Sequence, residues 1–344
     1  MKTTGNNNIL LGYKNRQRQY LITVVILFLL VMILASVTMI YGNTVYSPDT
    51  VFRILLGEDL DGSFTIKTLR FPRMFTAVLC GFAFGLSGNT FQKLLGNPLA
   101  SPDIIGVTSS ASVAAVFSIL ILGLNGTIVS VLSVLCGLLV AGIIYAVSQS
   151  NGVSNERLIL TGIGAQAFLN ALISWLLLKA SEYDVATALR WLNGSLNGVK
   201  MNDVPRLLLT VLISSLAIIA LGRHLKVLQL GNAYATALGV RIKLIRLFLI
   251  LFALLLVAFA TSVSGPIASV AFLSGPIASR ISGSGRNNNL SSGLIGSILV
   301  LISDLVGQYA FTTRFPVGII TGILGAPYLI FLLLRINHKG ERVS

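Results

Sequence analysis

Apolar stretches of about 20 residues recur along the whole chain and are separated by short polar segments. A helix rises about 1.5 Å per residue, so each stretch is long enough to cross the roughly 30 Å hydrocarbon core of a bilayer. The pattern predicts an all-α polytopic membrane protein with a single transmembrane domain over residues 1–344. The ten predicted spans are 20–42, 74–95, 104–122, 127–148, 158–180, 206–222, 244–263, 266–282, 290–310 and 316–336.

The composition supports this class and argues against a soluble domain. Hydrophobic residues make up 54% of the chain and charged residues only 10%, whereas about a quarter of the residues in a soluble domain are charged. The polar segments between the spans are also shorter than the roughly 50 residues of a small independent domain.

The net charge of +14 could by itself indicate nucleic acid binding, so the placement of the charges decides. With both termini in the cytoplasm, most of the 25 Lys and Arg lie in the N-terminal tail 1–19 and in the cytoplasmic segments between spans. The positive-inside rule describes this distribution. We therefore expect the charge to orient the chain among membrane lipids, and we predict no nucleic acid partner.

The N-terminus has two features of a signal peptide, the basic residues 14–18 and the apolar run that follows. That run is longer than a signal core and no small-residue cleavage site follows it, so we interpret it as an uncleaved first span. The two cysteines, Cys80 and Cys136, lie in different spans without Cys or His at ligand spacing, which predicts buried apolar residues.

The chain carries little chemistry of its own. It has no Gly-x-x-x-x-Gly-Lys-[Ser/Thr] motif, and neither His224 nor His338 has a neighbouring carboxylate or Cys. We therefore predict no enzymatic activity, no cofactor and no metal site. Asp304 is the only acid inside a predicted span, and such a carboxylate is a functional candidate. The alternative is that Asp304 bonds neighbouring backbone or hydroxyl groups.

Two further stretches stand out before any comparison is made. The basic cytoplasmic segment "LQLGNAYATALGVRIKLIR" (228–246) fits either an amphipathic helix on lipid headgroups or a contact element for a cytoplasmic partner. The stretches "SGNTFQKLLGNPLAS" (87–101) and "SGPIASVAFLSGPIAS" (264–279) share a Ser-Gly start and a Pro-[Leu/Ile]-Ala-Ser end. They belong to spans of opposite predicted direction, which indicates an inverted repeat of the kind common in transporters.

Four stretches in matching order resemble the FecCD-type permease family, the membrane subunits of ATP-binding cassette (ABC) importers for iron–siderophores, haem and vitamin B12. They are "LRFPRMFTAVLCGFAFGLSGNTFQKLLGNPLASPDIIGVTSSASVAAV" (69–116), "RWLNGSLNG" (190–198), "LGNAYATALGV" (230–240), and "GPIASVAFLSGPIASR" with "SDLVGQ" and "FPVGIITGILGAPYLIFLLLR" (265–335). Together they reach from residue 69 to residue 335.

The resemblance implies a type II ABC importer permease fold, similar to the vitamin B12 permease, with about ten transmembrane helices and an inverted internal repeat. It also implies alternating access in a bacterial cytoplasmic membrane. The implied partners are a second permease subunit, identical or homologous, two cytoplasmic ABC ATPase subunits, and an extracytoplasmic siderophore-binding protein. The "NPLASPDIIGV" wording is most similar to siderophore members. Haem or cobalamin as cargo stays open, and so does an ion-gradient-driven secondary transporter.

The resemblance also carries over three sets of site residues. Binding-protein docking is expected at Arg70 and Arg73, and at Arg314 because Gln308 stands where relatives often have an arginine; anchoring of a span by Arg is the alternative. ATPase coupling is expected in segment 228–243, through Gly231, Ala235, Leu238, Gly239 and Arg241, with Asn232 where many relatives have an acid. The translocation path is predicted, from positions within the spans, to include Asn89, Gln92, Ser109, Ser110, Gln166 and Asn170, each of which also suits helix packing.

The sequence Ser-Gly-Pro-Ile-Ala-Ser occurs twice, at 264–269 and 274–279. Ten helical residues rise only about 15 Å, so the two copies cannot bound separate spans. The first copy suits a helix N-terminus, where proline loses no needed hydrogen bond. The second places Pro276 inside a helix, where it frees the carbonyl of Phe272, and protein or a cavity must satisfy that group. Gly275 and Pro276 also depart from the family pattern.

Overall fold

The computed structural model describes residues 3–148, 155–283 and 287–340, and the regular structure in these ranges is helical throughout. The helices are α1 (Thr3–Ile40), α2 (Pro48–Leu55), α3 (Phe71–Leu95), α4 (Val107–Leu120), α5 (Thr127–Ser148), α6 (Asn155–Lys179), α7 (Glu182–Leu192), α8 (Val204–Ala220), α9 (Gly222–Leu228), α10 (Asn232–Ala237), α11 (Ile242–Ser264), α12 (Val270–Ser282), α13 (Asn289–Tyr309) and α14 (Val317–Gly340). A π-helical turn, Thr65–Arg70, leads into α3.

Each of the ten predicted spans coincides with one of these helices. Within the described ranges, seven helices are long and apolar enough to cross a membrane, namely α1, α3, α5, α6, α8, α11 and α13. The apolar parts of α4 and α14 are shorter, and α12 has only 13 residues. The first helix starts at Thr3, so the predicted tail continues directly into the first span, and residues 1 and 2 of that tail lie outside the description.

Helix α3 is the centre of the bundle. In the apolar stretch of α3, 78% of the residues are buried, compared with 17% in α1 and 22% in α6. Cys80 Sγ on α3 donates to the carbonyl of Ala260 at 3.7 Å, and Ser87 Oγ donates to the carbonyl of Ala253 at 2.8 Å. Moving along α3 from Cys80 to Ser87, the contacted residue of α11 changes from Ala260 back to Ala253. The two helices are therefore antiparallel. This confirms the opposite directions predicted for the second and seventh spans.

Glycine allows α13 to approach α3 at backbone distance. A Cβ atom on Gly85 would overlap the carbonyl oxygen of Ser292, and one on Gly296 would overlap the carbonyl oxygen of Gly81. Gly81 and Gly85 are four residues apart, as are Ser292 and Gly296, so both helices present a small-xxx-small face. In a membrane this close van der Waals packing is a main source of helix association, because lipid tails are as apolar as leucine.

The internal repeat is present, but its register differs from the predicted one. After α3 the chain turns at Gly96 (φ 65°), runs through Pro-Leu-Ala-Ser and enters the short α4 at Gly106 (φ 71°). After α11 it turns at Gly265 (φ 69°), runs through Pro-Ile-Ala-Ser and enters the short α12 at Ser269 (φ 71°). Residues 266–269 therefore correspond to 98–101. The predicted pairing with 276–279 was wrong, because that copy lies inside α12.

The connecting segments gather at two opposite ends of the bundle. Segments 124–130, 190–203, 262–265 and 314–316 line one common cavity, and segments 93–96 and 228–232 line another together with Arg246. The topology predicted from charge assigns the first set to the extracytoplasmic side and the second to the cytoplasm. We call these ends the outer end and the inner end.

Candidate functional sites

A buried ion pair joins α3 to α13 near the outer end. Arg73 donates from Nε to Asp304 Oδ2 at 2.8 Å and from Nη2 to Asp304 Oδ1 at 2.7 Å, a two-pronged geometry suited to a carboxylate. The carboxylate also accepts from Gln308 Nε2 at 2.8 Å, and Arg73 Nη1 donates to Asn197 Oδ1. The Asp304 side chain is 4% exposed and that of Arg73 is 20% exposed. The intramembrane acid thus has a cationic partner, which sequence reasoning missed.

Arg70 closes the end of the first helix. Its Nη1 donates to the carbonyls of Met39 at 2.8 Å and Ile40 at 2.9 Å, and its Nη2 donates to the carbonyl of Thr44 at 2.6 Å. Its guanidinium also lies over the ring of Tyr46, 5.1 Å from the centroid. Carbonyls at a helix C-terminus carry only partial negative charge, so these bonds orient Arg70 without neutralising it.

The outer cavity has a volume of about 870 Å³ and a cationic rim. Arg190, Lys200 and Arg314 line it, with Asp203 as the acid of the lining, and all three cations are exposed. Its volume lies in the range of small-molecule sites, about 300–1,000 Å³. Of the three predicted docking residues, Arg314 is exposed on this rim, while Arg70 and Arg73 are held by bonds to their own chain.

The predicted motif Trp191–Ser195 forms the wall of this cavity through backbone contacts. The amide of Ser195 donates to the carbonyl of Ser264 at 2.7 Å, and the amide of Gly318 donates to the carbonyl of Gly194 at 3.1 Å. Gly194 has φ 63°, and a Cβ atom there would overlap the carbonyl oxygen of Pro266. Glycine is therefore required at this junction of the α7 end, the α11 end and the start of α14.

Four of the predicted path residues lie inside the packed core of this chain. Asn89 Nδ2 donates to Asn289 Oδ1 at 2.7 Å, and Gln92 Nε2 donates to the carbonyl of Phe272 at 2.9 Å. Ser109 is buried, and Ser110 Oγ donates to the carbonyl of Gly106 within its own turn at 2.7 Å. The other two, Gln166 and Asn170, lie on α6, where Gln166 is half-buried and Asn170 is exposed.

Gln92 of α3 donates to the carbonyl of Phe272, the group that Pro276 leaves without a donor. Proline at 276 cannot donate to the carbonyl four residues earlier, and that carbonyl belongs to Phe272. Gln92 of α3 supplies the missing donor. A Cβ atom on Gly275 would overlap Gln92 Oε1, so the glycine makes room for the amide that the proline requires. The prediction that protein satisfies the freed group is confirmed.

The loop "NPLASPD" before α4 is held by its own side chains. Asn97 Oδ1 accepts from the amide of Leu99 at 2.9 Å, and Asp103 Oδ1 accepts from Thr108 Oγ1 at 2.6 Å. Burial raises the pKa of the Asp103 carboxyl above its ordinary value, against the opposing effect of the Thr108 and Ser101 hydroxyls. The motif thus has a structural role in turning the chain into α4.

At the inner end, the predicted coupling segment folds as a short helix between two left-handed glycines. Gly231 (φ 102°) precedes α10 and Gly239 (φ 77°) follows it, and Arg241 is exposed just before α11. Ala235 is completely buried, so its small side chain lets α10 lie against the core and is not itself available to a partner.

The outward face of this segment is apolar. Leu230 is 60% exposed, Tyr234 69% and Leu238 64%, and their spacing of four residues puts Tyr234 and Leu238 on one face of the helix with Leu230 just before it. Sequence reasoning named Leu238 but missed Leu230 and Tyr234. Their spacing was the available signal, because an apolar residue every fourth position marks a helix face.

Comparisons with known proteins agree with this geometry. The sequence profile of the FecCD transport family matches residues 26–335. The chain belongs to this family. Two relatives in the FecCD family are the ferric enterobactin transport system permease protein FepG of Escherichia coli (strain K12), 36% identical with 87% of this chain and 91% of FepG covered, and the achromobactin transport system permease protein CbrC of Dickeya dadantii (strain 3937), 32% identical with 98% and 99% covered.

A solved structure has the same FecCD-type fold. It is described as an inward-facing conformation of a metal-chelate type ABC transporter, and it matches with a TM-score of 0.81 at 25% sequence identity. The match covers 91% of this chain and 98% of the solved one. The predicted fold class, an all-α permease similar to those of type II ABC importers, is confirmed.

We predict that Gln92 and Pro276 are energetically coupled. In the native background, Gln92→Leu should lower the free energy of unfolding by about 1–3 kcal/mol, because the buried carbonyl of Phe272 loses its donor. In a Pro276→Ala background residue 276 has its own amide hydrogen, so the same substitution should cost less. A double-mutant cycle by denaturant unfolding in detergent measures the difference. Additive costs would show that the Gln92 bond does not serve the proline.

Two salt bridges among the described residues, one buried and one exposed, allow a matched comparison. Asp304→Asn should lower the free energy of unfolding by up to about 3–5 kcal/mol, because it leaves the Arg73 charge without a counter-charge in a largely buried site. Glu58→Gln removes the partner of Arg53 in a pair about half exposed to solvent, with N–O distance 2.6 Å, and should cost much less, because solvent screens an exposed pair. Equal costs in thermal unfolding would refute a structural role for the buried pair.

Proposed function

We propose that this chain is the permease subunit of an ABC importer that moves an iron–siderophore complex across the cytoplasmic membrane of a bacterium. The observation that carries the proposal is the exposed apolar face of Leu230, Tyr234 and Leu238 at the inner end of a FecCD-family chain that has no P-loop. A large exposed apolar face marks an interaction site, and the partner we propose for it is an ABC ATPase, which would supply the ATP hydrolysis. The names of the FepG and CbrC relatives support an iron–siderophore as cargo.

Alternating access would move the packed core as a unit. Helices α3, α11 and α13 are locked by close backbone contacts and buried bonds, whereas α10 is flanked by two glycines with positive φ. Closure of two ATPases would displace α10, and the displacement would tilt the core of each permease subunit between inward-open and outward-open states. Both termini would lie in the cytoplasm, as the charge distribution favours.

The path would run beside α6, at the junction with the second permease subunit. Asn170 is exposed on a helix whose other exposed residues include Leu160, Phe168 and Leu178. An amide facing lipid would lack hydrogen-bond partners, which is costly in hydrocarbon. A water-filled path or the facing subunit supplies those partners, so Asn170 and Gln166 are the predicted path residues that suit this role best.

Docking of the binding protein would use the cationic outer rim. Arg314 is exposed there, and Arg70 keeps its net charge because its partners are carbonyls and a ring. Arg73 could take part only by exchanging Asp304 for a carboxylate of the binding protein. We therefore propose that Arg314 and Arg70 are the charges that steer docking. Arg73 would contribute only after it had exchanged its partner.

The structure weakens the case for the alternative function, a secondary transporter driven by an ion gradient. A secondary transporter driven by an ion gradient would need a titratable path residue, and Asp304 was the candidate. In the structure Asp304 is paired with Arg73 and bonded to Gln308, so both of its carboxylate oxygens already accept hydrogen bonds. A cobalamin cargo stays open, since a 31% identical relative in Halobacterium salinarum is a cobalamin import system permease protein.

Reconstitution tests the function directly. Vesicles that contain this chain, the second permease subunit and the ABC ATPase should take up a ferric siderophore only with ATP and the binding protein. The control is the same complex with the P-loop lysine of the ATPase replaced, which should take up none. Haem and cobalamin, offered in parallel, distinguish the three cargoes. Uptake by this chain alone under a proton or sodium gradient would contradict the proposal.

Charge reversal tests the docking surface. Arg314→Glu should slow association of the binding protein by about tenfold or more, and the effect should shrink at high salt, because rim charges act mainly on the encounter. Lys179→Glu is the matched control, since Lys179 ends α6 at the outer end and is not predicted to dock. Surface plasmon resonance measures the association rates. Equal rates for Arg314→Glu and the native protein would contradict the proposal that the binding protein docks on the cationic rim.

Truncation of the inner apolar face tests the ATPase contact. Tyr234→Ala combined with Leu238→Ala should weaken ATPase binding by about tenfold or more, as expected for apolar anchors of an interface. The thermal unfolding of the permease should stay nearly unchanged, because both side chains are exposed. Phe311→Ala, at an exposed phenylalanine of the outer end, is the control. Native ATPase affinity in the double variant would exclude this face.

A further inference from the structure

A buried arginine at the inner end lacks a counter-charge. Arg246, in the second turn of α11, is 6% exposed, and its Nε and Nη1 have no hydrogen-bond partner among the described residues. Its Nη2 lies 3.5 Å from Asn232 Oδ1, a long contact with a neutral amide. Burying an unpaired charge costs several kcal/mol in a folded protein. A group that supplies the missing negative charge would therefore bind here with a strong electrostatic driving force.

Arg246 lines an open cavity of about 590 Å³ that already collects positive charge. Lys93, at the end of α3, lines the same cavity, and Glu156 is the acid of its lining. Asp103, the other acid that the structure describes at this end, is already bonded to Thr108 and Ser101. Among the described residues, Arg246 thus has no carboxylate partner in this cavity.

The position of the cavity favours a protein group over a lipid headgroup. Its walls include Leu94, Leu95 and Leu228, which are buried, and the end of α3, the most buried helix of the bundle. A lipid reaches a membrane protein from its periphery, whereas this cavity opens beside Gly231 and Asn232 at the start of the coupling segment. The proposed ATPase contact lies on that same segment.

We propose that the cavity receives an aspartate or glutamate side chain of the ABC ATPase, which pairs with Arg246. The inference rests on the proposed function, because it requires an ATPase seated on the inner end. A planar guanidinium binds a carboxylate through two parallel bonds, so the pair fixes orientation as well as distance. The inserted carboxylate would touch the coupling segment at Asn232, α11 at Arg246 and α3 near Lys93. It would thereby connect movement of the ATPase to the two helices that form the core.

Two variants in this chain test the pair without relying on a disrupted fold. Arg246→Gln removes the charge and should weaken ATPase binding at least about tenfold, as loss of one member of a desolvated pair does. Asn232→Asp keeps Arg246 but places a carboxylate beside it, so it should raise the melting temperature of the permease and also weaken ATPase binding. Arg223→Gln, at an exposed arginine of α9 outside the coupling segment, is the control and should change neither quantity.

The outcomes separate this inference from the proposed function. If the native chain and Arg223→Gln bind no ATPase at all, the proposed function fails. If they bind, and Arg246→Gln and Asn232→Asp bind equally well, only the carboxylate pair fails. The permease alone is also titrated with inorganic phosphate and with vesicles of phosphatidylglycerol. Stabilisation by either anion that is lost in Arg246→Gln, with ATPase affinity unchanged, would overturn the inference in favour of a phosphate ligand.

Discussion

The backbone approach of α13 to α3 is the constraint on which the rest of the bundle depends. At the outer end the two helices are joined by the ion pair of Arg73 and Asp304, followed by Ser297 Oγ, which donates to the carbonyl of Val78 at 2.8 Å. The glycine contacts come next, and the hydrogen bond between Asn89 and Asn289 joins the helices nearest the inner end. Polar bonds therefore stand at both ends of the seam and glycines in its middle. Since individual polar bonds between membrane helices contribute little, about 0.6 kcal/mol on average, the close packing between them provides most of the stabilisation.

A core fixed in this way limits where a transporter can move. Elements that move relative to this core are expected to be those with few attachments to it, such as α10 between its two glycines. The charges follow the same division. Arg73 is neutralised inside the seam, whereas Arg314 at one end is exposed and Arg246 at the other has no carboxylate partner in the described part of the chain. Unbalanced charge thus lies at the two surfaces where partners are expected.

Much of the fold could be predicted from the sequence because span length and charge placement are local properties. Periodic apolar stretches and the positive-inside rule were enough to locate the ten helices. The path residues Asn89 and Gln92 show the limit of this reasoning. A polar side chain in a span is equally compatible with a water-filled path and with a buried bond, and only the neighbouring helices, α13 and α12, decide between them. The partner of Asp304 was missed for the same reason, since it lies 231 residues away.

The doubled Ser-Gly-Pro-Ile-Ala-Ser shows how one set of residue types serves two different requirements. In the first copy Gly265 has φ 69° and ends α11, and Pro266 starts the connection to α12. The predicted helix N-terminus at Pro266 was wrong, because α12 begins at Val270. In the second copy Gly275 and Pro276 lie within a helix, where the glycine leaves space for Gln92 and the proline leaves it a carbonyl. The second pair thus ties the short α12 to α3 at a point where a regular helix would offer no acceptor. Because α12 has few turns of its own, this bond adds to the packing that holds α12 against the central helix.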